Sequence, residues 1–400
     1  MSMRDVYVVG VGMTPFGKFF DSSLRQLAGE ATRAALSDAG ISGSSLQMAF
    51  FGNAMEGLLT GQEMIVGQVA LRDCGTSGIP VVNVENACAS GSSAVHLARL
   101  AVGSGEIDIA LAVGAEKLTH ADKRRSFDAM KAAVDLERLP QLEADLYGDS
   151  GPPPGDRSFF MDLYADQAQR YIEATGAQPS DFAGVAVKNH RHGALNSRAQ
   201  YREEVTVQQV LDSRKISGVL TLLMCSPIGD GAAAIVLCSG DVVDRFDAPR
   251  VRVAASVLVS GCTDGPGPTS VRRAAQLAYH QAQLGPEDLD VVELHDAAAP
   301  AELALYEELN MCEAGDGPAL LASGATTLGG RAPVNTSGGL LSKGHPVGAT
   351  GCAQLVEIVE QLRGQCGSRQ VTGARVGLAE NNGGYLGPDP AATCVTILTR

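Results

Sequence analysis

The feature that most constrains this chain is that one strand–turn–helix pattern occurs in it twice. PVVNVENACASGSSAVHLARLAVGSG (80–105) and PVNTSGGLLSKGHPVGATGCAQLVEIVEQLRG (333–364) each read as an apolar strand and a turn rich in glycine and serine. Each then continues as a helix whose apolar residues recur at three- and four-residue spacing. Flanking segments match in the same order. AALSDAG leading into ISGSSLQMAFFGNAMEG pairs with YHQAQLG leading into PEDLDVVELHDAAAPAE, and IDIALAVGAEK (107–117) pairs with ARVGLAENNGG (374–384). The offset is about 250 residues, far beyond the ~20–50 of a solenoid repeat. A duplicated α/β domain is the reading. Between the halves, roughly 120 to 220, the pattern breaks into charged helices and the loop DSGPPPGDRSFF, which reads as an insertion.

Composition excludes several classes of function. A 400-residue chain that is 45% apolar can bury a large core, in more than one domain. Its net charge of -14 argues against a nucleic-acid surface, which needs a basic face. Nine cysteines, without a C-x-x-C pair or a Cys/His cluster at ligand spacing, suggest neither a disulfide framework nor a metal site. No stretch approaches a membrane span, and the first apolar run is too short for a signal peptide, so a reducing cytoplasm is the expected compartment. The segment VVGVGMTPFG begins like a dinucleotide fingerprint, but Pro15 stands at its third glycine and no helix follows. A tight turn at a strand end explains it.

Cys88 stands where the first repeated strand gives way to its helix, among Ala87, Ala89, Ser90 and Gly91. A helix N-terminus favours a thiolate, and small neighbours admit a substrate and let backbone N–H groups approach an oxyanion. The other eight cysteines, Cys225, Cys238, Cys352 and Cys394 among them, read as small buried hydrophobes. A thiol nucleophile needs a base. His345, in SKGHPVGATG, occupies the turn of the second half that corresponds to the Cys88 turn, and His295, in ELHDAAAP, ends another strand there. His190 and His192 fall in the insertion, His96 and His280 lie on helices where a structural role is the simpler reading, and His120 follows the strand IDIALAVGAEK.

NACASGSSA, SPIGDGAAAIV, ELHDAAAPAE, NTSGGLLSKGHPVGATG and ENNGGY together resemble the thiolase superfamily, on the branch of the sterol-carrier-type thiolases and their bacterial and archaeal relatives. The resemblance runs from residue 5 to the end. It implies an α/β thiolase fold: two duplicated halves stacked as five layers, α/β/α/β/α, with an inserted loop domain. The expected division is 1–120 and 221–250 for the N-terminal half, 121–220 for a coenzyme A-binding loop domain, and 251–400 for the C-terminal half.

The same resemblance implies roles for single residues. Cys88 takes the place of the acylated nucleophile, and His345 that of its base. His295 takes the place of the histidine of the first oxyanion site. Backbone N–H groups of Cys88 and Gly383 form the second oxyanion site, and Ser226 contacts the pantetheine arm. Coenzyme A is a substrate, with no tightly bound cofactor and no metal.

The departure from the family is specific. Its second catalytic cysteine lies either in a C-x-G motif, where this chain has Asn381-Asn382-Gly383, or in H-D-C-F, where it has His295-Asp296-Ala297-Ala298. The proton carrier for C–C chemistry must then be a histidine already present, a carboxylate or tyrosine of the loop domain, or a water held by Asn381 and His295. The expected function is thiolytic cleavage of a 3-oxoacyl-CoA that is bulky, branched, aromatic or steroid-derived, through an acyl-Cys88 intermediate. The alternatives are a C–C bond-forming acyltransferase or side-chain aldolase subunit working with a small zinc-ribbon and OB-fold partner, and a non-catalytic lipid-transfer or scaffold subunit. A homodimer or higher oligomer is expected, paired through SGIPVVNVENA.

Overall fold

In the computed structural model, residues 3–148, 151–153, 158–262, 267–387 and 389–400 are described. Positions 149, 150 and 154–157 of the loop DSGPPPGDRSFF lie outside them. Nine strands form one sheet: β1 (Val6–Met13), β2 (Met48–Gly52), β3 (Val81–Val84), β4 (Ile109–Lys117), β7 (Asp230–Ser239), β8 (Val251–Ser260), β9 (Val291–Glu293), β10 (Val376–Gly383) and β11 (Ala392–Thr399). A separate two-stranded ladder joins β5 (Lys215–Ser217) to β6 (Leu220–Thr221). The order in the large sheet is β3-β2-β4-β7-β1-β8-β11-β10-β9, and a parallel bridge between Val292 and Val334 adds a tenth position beyond β9.

Read outward from the centre, the two sides have the same topology. β1-β7-β4-β2-β3 on one side matches β8-β11-β10-β9-Val334 on the other, with antiparallel pairs near the centre and parallel pairs at the rims. Among the described residues only two pairs, Tyr7 with Arg252 and Val8 with Val251, join the halves through the ladder. The duplication read from the sequence is thus the duplication in space.

The helices that follow the two repeated turns, Ser90–Ser104 and Thr350–Arg363, form the middle layer, and Ala94, Ala98, Ala353, Val356 and Val359 share one core with strand residues of both halves. The helix Thr350–Arg363 is buried almost all round, as a helix between two sheets must be. Small residues set the approach of the two helices: a Cβ on Gly351 would lie 2.4 Å from the Ser92 nitrogen, and one on Gly91 2.7 Å from the Gly348 oxygen. Outer layers are built by Leu24–Asp38 in the first half, and by Ser270–Ala282 and Ala299–Glu308 in the second. Alternation along the layers gives α/β/α/β/α.

Between β4 and β7 the chain leaves the sheet through the helices Lys123–Lys131, Leu139–Tyr147, Phe159–Thr175, Pro179–Ala194 and Val207–Asp212. Pro179–Ala194 is anchored to the second half through buried polar contacts. Lys188 pairs with Glu302 at 2.9 Å, and Asn189 donates to Asp296 and Glu302 at 2.8 Å each. Among the described residues no helix is long and apolar enough to cross a membrane.

Candidate active site

The Cys88 turn is built almost wholly from local hydrogen bonds. Ala87 takes a positive φ of 47°, a conformation that costs a residue with a Cβ, and the flanking groups hold it there. Ala87 N–H donates to Glu85 Oε1 at 2.6 Å, Asn86 N–H to Ser90 Oγ at 2.9 Å, and Ser90 Oγ to the Ala87 carbonyl at 2.7 Å. A single 3-10 turn, Ala87–Ala89, then opens directly into the helix Ser90–Ser104. The sulfur therefore stands at a strand-to-helix corner, beside Met55, Leu59, Leu118 and Val347.

His345 Nε2 lies 3.3 Å from Cys88 Sγ, and His345 Nδ1 lies 2.7 Å from Thr350 Oγ1. The Thr350 hydroxyl has one proton, which goes to the Pro346 carbonyl at 3.1 Å, so it accepts from His345. That assigns the proton to Nδ1 and leaves the Nε2 lone pair facing the thiol. The His295 ring packs edge-on against His345 with centroids 5.0 Å apart. One sulfur and two ring nitrogens, from Cys88, His295 and His345, all lie within 4.8 Å of one another.

The electrostatics correct one expectation. The helix N-terminus was read as favouring a thiolate, yet burial and the nearby carboxylates of Glu116 and Glu85 push the Cys88 thiol up to about 12, outweighing the N–H groups of Cys88 and Gly384. Burial, His295 and Lys343 hold His345 well below the usual histidine range, and burial holds His295 down to about 4. The resting pair is a neutral thiol beside a neutral imidazole. Its chemistry is proton transfer during attack, with a base already in the right tautomer.

Asn381 is buried, and its Oδ1 is 2.7 Å from Ser92 Oγ while its Nδ2 has no partner among the described residues. His295 Nε2 is likewise buried with no partner among them. Unpaired buried polar atoms are places where a polar atom of a bound molecule can fit, because buried donors otherwise find partners. Gly383 must be glycine: a Cβ there would lie 2.0 Å from the Asn86 oxygen and 2.7 Å from the Ala89 nitrogen. The backbone N–H groups that favour the Cys88 thiolate are its own and that of the residue after Gly383, Gly384. Ser226 is half-buried, and its N–H donates to the Ala297 carbonyl at 3.0 Å, which sets SPIGDG beside the HDAA segment.

The other histidines lie apart from this group. His120 bonds within its own loop, to Asp122 and Arg125. His96 meets Ser256 at 3.0 Å, and His192 is engaged through both nitrogens, at Asn335 and Leu328. Three groups escaped the sequence reading by name. Glu116 is a buried carboxylate held by four donors, and Glu380 is a buried carboxyl raised to about 8 by burial, with Oε2 accepting from the His295 N–H at 3.1 Å. Tyr164, on Phe159–Thr175, interacts electrostatically with Cys88, Glu380 and Asp296, and burial raises its phenol. The sequence signal for the first two was an acidic residue within a strand that is apolar up to that point, one in each half.

Fold and site together define an α/β scaffold that brings a cysteine thiol and a histidine ring, one from each of two duplicated halves, within 3.3 Å of one another. Profiles described as "Thiolase, N-terminal domain" and "Thiolase C-terminal domain-like" match residues 6–217 and 256–400, and the chain belongs to the thiolase family. Within it, the chain falls on the sterol-carrier-type branch. It is 39% identical over 391 residues to the acetyl-CoA acetyltransferase of Methanothermobacter thermautotrophicus, covering 96% of this chain and 98% of that one. It is 37% identical over 393 residues to sterol carrier protein 2 of Gallus gallus, covering 95% and 70%, and to the benzoylsuccinyl-CoA thiolase subunit BbsB of Thauera aromatica, covering 95% of each. Among solved structures, the Ltp2-ChsH2(DUF35) aldolase is similar at 26% identity and a TM-score of 0.79, over 98% of this chain and 97% of that one.

Proposed function

We propose that this acyltransferase is a 3-oxoacyl-CoA thiolase acting through an acyl-Cys88 intermediate. The observation that carries the reading is the 3.3 Å approach of His345 Nε2 to Cys88 Sγ, with Nδ1 committed to Thr350. As His345 takes the thiol proton, the sulfur attacks the 3-oxo carbon. The C2–C3 bond then breaks and releases an acetyl-CoA enolate, which is protonated at carbon. Coenzyme A next attacks the acyl-Cys88 thioester, giving the shortened acyl-CoA and restoring the thiol.

Cys88 and Gly383 supply N–H groups to the thioester oxygen. His295, at the first oxyanion site, and Asn381 face the enolate oxygen, a role supported by their buried nitrogens, which have no partner among the described residues. Residues 121–220 form the coenzyme-binding loop domain of a division into 1–120 with 221–250, 121–220, and 251–400, and Ser226 meets the pantetheine arm. A bulky or aromatic substrate is supported by the two empty second-cysteine positions, Asn381 and Ala297, and by the likeness to a benzoylsuccinyl-CoA thiolase subunit. Dimerisation through β3 is supported by its place at the sheet edge, with Val81 and Val82 half-buried and Asn83 exposed. Nine free cysteines support a reducing, cytoplasmic setting.

A second reading, a side-chain aldolase subunit with a small partner, is favoured by the likeness to the Ltp2-ChsH2(DUF35) aldolase. Thiolysis consumes coenzyme A and aldol cleavage does not, so cleavage assayed with and without coenzyme A separates the two. Intact-mass measurement after incubation with acyl-CoA is expected to show one acyl adduct in the wild type and none in Cys88→Ala. An adduct that survives the substitution sinks the proposal.

A further inference from the structure

Glu116, at the end of β4, has no exposed surface, yet its carboxylate receives four hydrogen bonds. Asn53 Nδ2 and the Met55 N–H donate to Oε1 at 2.9 and 3.2 Å, and the N–H groups of Ala54 and Gly348 donate to Oε2 at 3.1 and 3.0 Å. Three of these donors belong to the turn after β2 in the first half. The fourth belongs to the H-P-V-G turn of the second half, which carries His345. Side chains of the same two turns, Ala54, Met55 and Val347, share the apolar cluster that includes Cys88.

The internal duplication says what this carboxylate is equivalent to. Gln47 Oε1 caps the N–H groups of Asp108 and Ile109, as Asp290 Oδ2 caps those of Arg375 and Val376, so Ile109 corresponds to Val376. Stepping along β4 and β10 together from that pair sets Glu116 against Gly383. In the turns, the Ala89 N–H donates to the Asn86 carbonyl and the Ala349 N–H to the Pro346 carbonyl, both at 2.9 Å, so Cys88 corresponds to Gly348. One half therefore has a carboxylate on the Gly348 N–H. The other has a glycine opposite the Cys88 N–H, the group that the functional reading gives to the acyl oxygen.

We propose that Glu116 is a positioning residue for acyl transfer: its carboxylate fills, in the second half, the anion position that the acyl oxygen takes in the first, and so fixes the His345 turn at hydrogen-bonding distance from Cys88. The inference rests on the reading of Cys88 as the acylated residue. It adds a second consequence: burial raises the Glu116 carboxyl to about 7, so above that pH it places a buried negative charge near the thiol and, after burial itself, opposes the thiol's ionisation. The charged groups in reach are few. Glu56, with Lys117 and Asp230 beyond it, lies near Glu116, and Glu85 lies near Cys88.

The test is the rate of acyl adduct formation by intact mass, together with the pH dependence of Cys88 alkylation by iodoacetamide and the thermal midpoint. Glu116→Gln keeps the shape, removes the charge and turns an NH2 group toward N–H donors. Acylation is expected to fall roughly 100-fold, as for a base displaced by about an ångström, while the alkylation profile moves to lower pH. Gly348→Ala displaces the same turn and keeps the charge, because its Cβ would lie 2.8 Å from the Ala115 oxygen and 3.1 Å from Glu116 Oε2. It is expected to slow acylation without moving the alkylation profile downward.

A folded Glu116→Gln enzyme that acylates within about two-fold of wild type, or is slowed with an unmoved alkylation profile, overturns the proposal. Should that variant not fold, Asn53→Ala decides. It deletes one donor and is expected to slow acylation about five-fold, and an unchanged rate overturns the proposal. Absence of an adduct in the wild type removes the reading of Cys88 instead.

Discussion

The neutral pairing of Cys88 with His345 makes a prediction about how acylation responds to pH when the base is removed. With the thiol held up to about 12, only about one molecule in 10^4 carries a thiolate at pH 8. Attack through that population alone would rise about ten-fold per pH unit across the neutral range. His345 is held well below the usual histidine range, so it stays unprotonated over the same interval and can take the proton as the sulfur attacks. Neither partner changes charge between about pH 6.5 and 9, so the wild-type profile is expected to lack a ten-fold rise per unit there and to show only the shallower response of the buried carboxyls Glu116, raised to about 7, and Glu380, raised to about 8.

His345→Ala removes that route. Acylation at neutral pH is expected to fall roughly 100-fold or more and then to climb ten-fold per unit, approaching the wild-type rate in alkali. The assay is intact-mass quantification of the acyl adduct at a series of pH values, with thiolate ultraviolet absorbance measured as the difference between wild type and Cys88→Ala. A full thiolate signal at pH 8 would show a preformed thiolate–imidazolium pair and refute the reasoning. A flat profile in His345→Ala would show that another base serves the thiol.

Two further outcomes are expected. His295→Ala should spare Cys88 acylation and impair C–C cleavage, because His295 is proposed to hold the enolate oxygen and its buried Nε2 has no partner among the described residues; equal effects on both steps count against this division. Tyr164→Phe tests the loop-domain source of the missing proton: with its phenol interacting with Cys88, Glu380 and Asp296, loss of the hydroxyl should slow 3-oxoacyl-CoA cleavage about ten-fold or more while leaving acylation by a simple acyl-CoA intact, and unchanged cleavage would return the role to the histidines.

What the sequence disclosed and what it withheld follow from the range of the forces involved. Cys88, His345 and the duplication were legible because each is a local pattern: a small-residue turn between an apolar strand and a periodic helix. The meeting of the two turns was legible only through the duplication, since their residues lie far apart in the chain. The charge state of Cys88 was not. The sequence displays the helix N-terminus, whose effect is local, but not the burial or the carboxylate of Glu116, whose approach depends on how β4 packs under both turns. Tyr164 was hidden for the same reason, because nothing along Phe159–Thr175 says which turn of that helix faces the thiol. Gly383 was read as an oxyanion donor, while its steric necessity, a Cβ 2.0 Å from the Asn86 oxygen, belongs to the packed structure alone.

Duplication supplies two equivalent turns, and the chemistry requires that they differ. A nucleophile that forms a tetrahedral intermediate needs free N–H groups beside it, whereas a base needs a turn that does not move when charge develops nearby. Where Cys88 stands, the opposing strand has Gly383, which carries no side chain. Where Gly348 stands, the opposing strand has Glu116, and its carboxylate covers the equivalent N–H at 3.0 Å. The same exchange separates the neighbouring residues. His345 is oriented by Thr350 at the head of the second helix, and the corresponding Ser90 of the first helix is used instead to hold Ala87 in its strained conformation. On the proposed reading, one corner serves as a nucleophile with an open anion site, and its copy serves as a base with that site filled. Exchanging Gly383 for a larger residue closes the first site, and removing the Glu116 carboxylate opens the second, so the two changes should damage acylation by opposite structural routes.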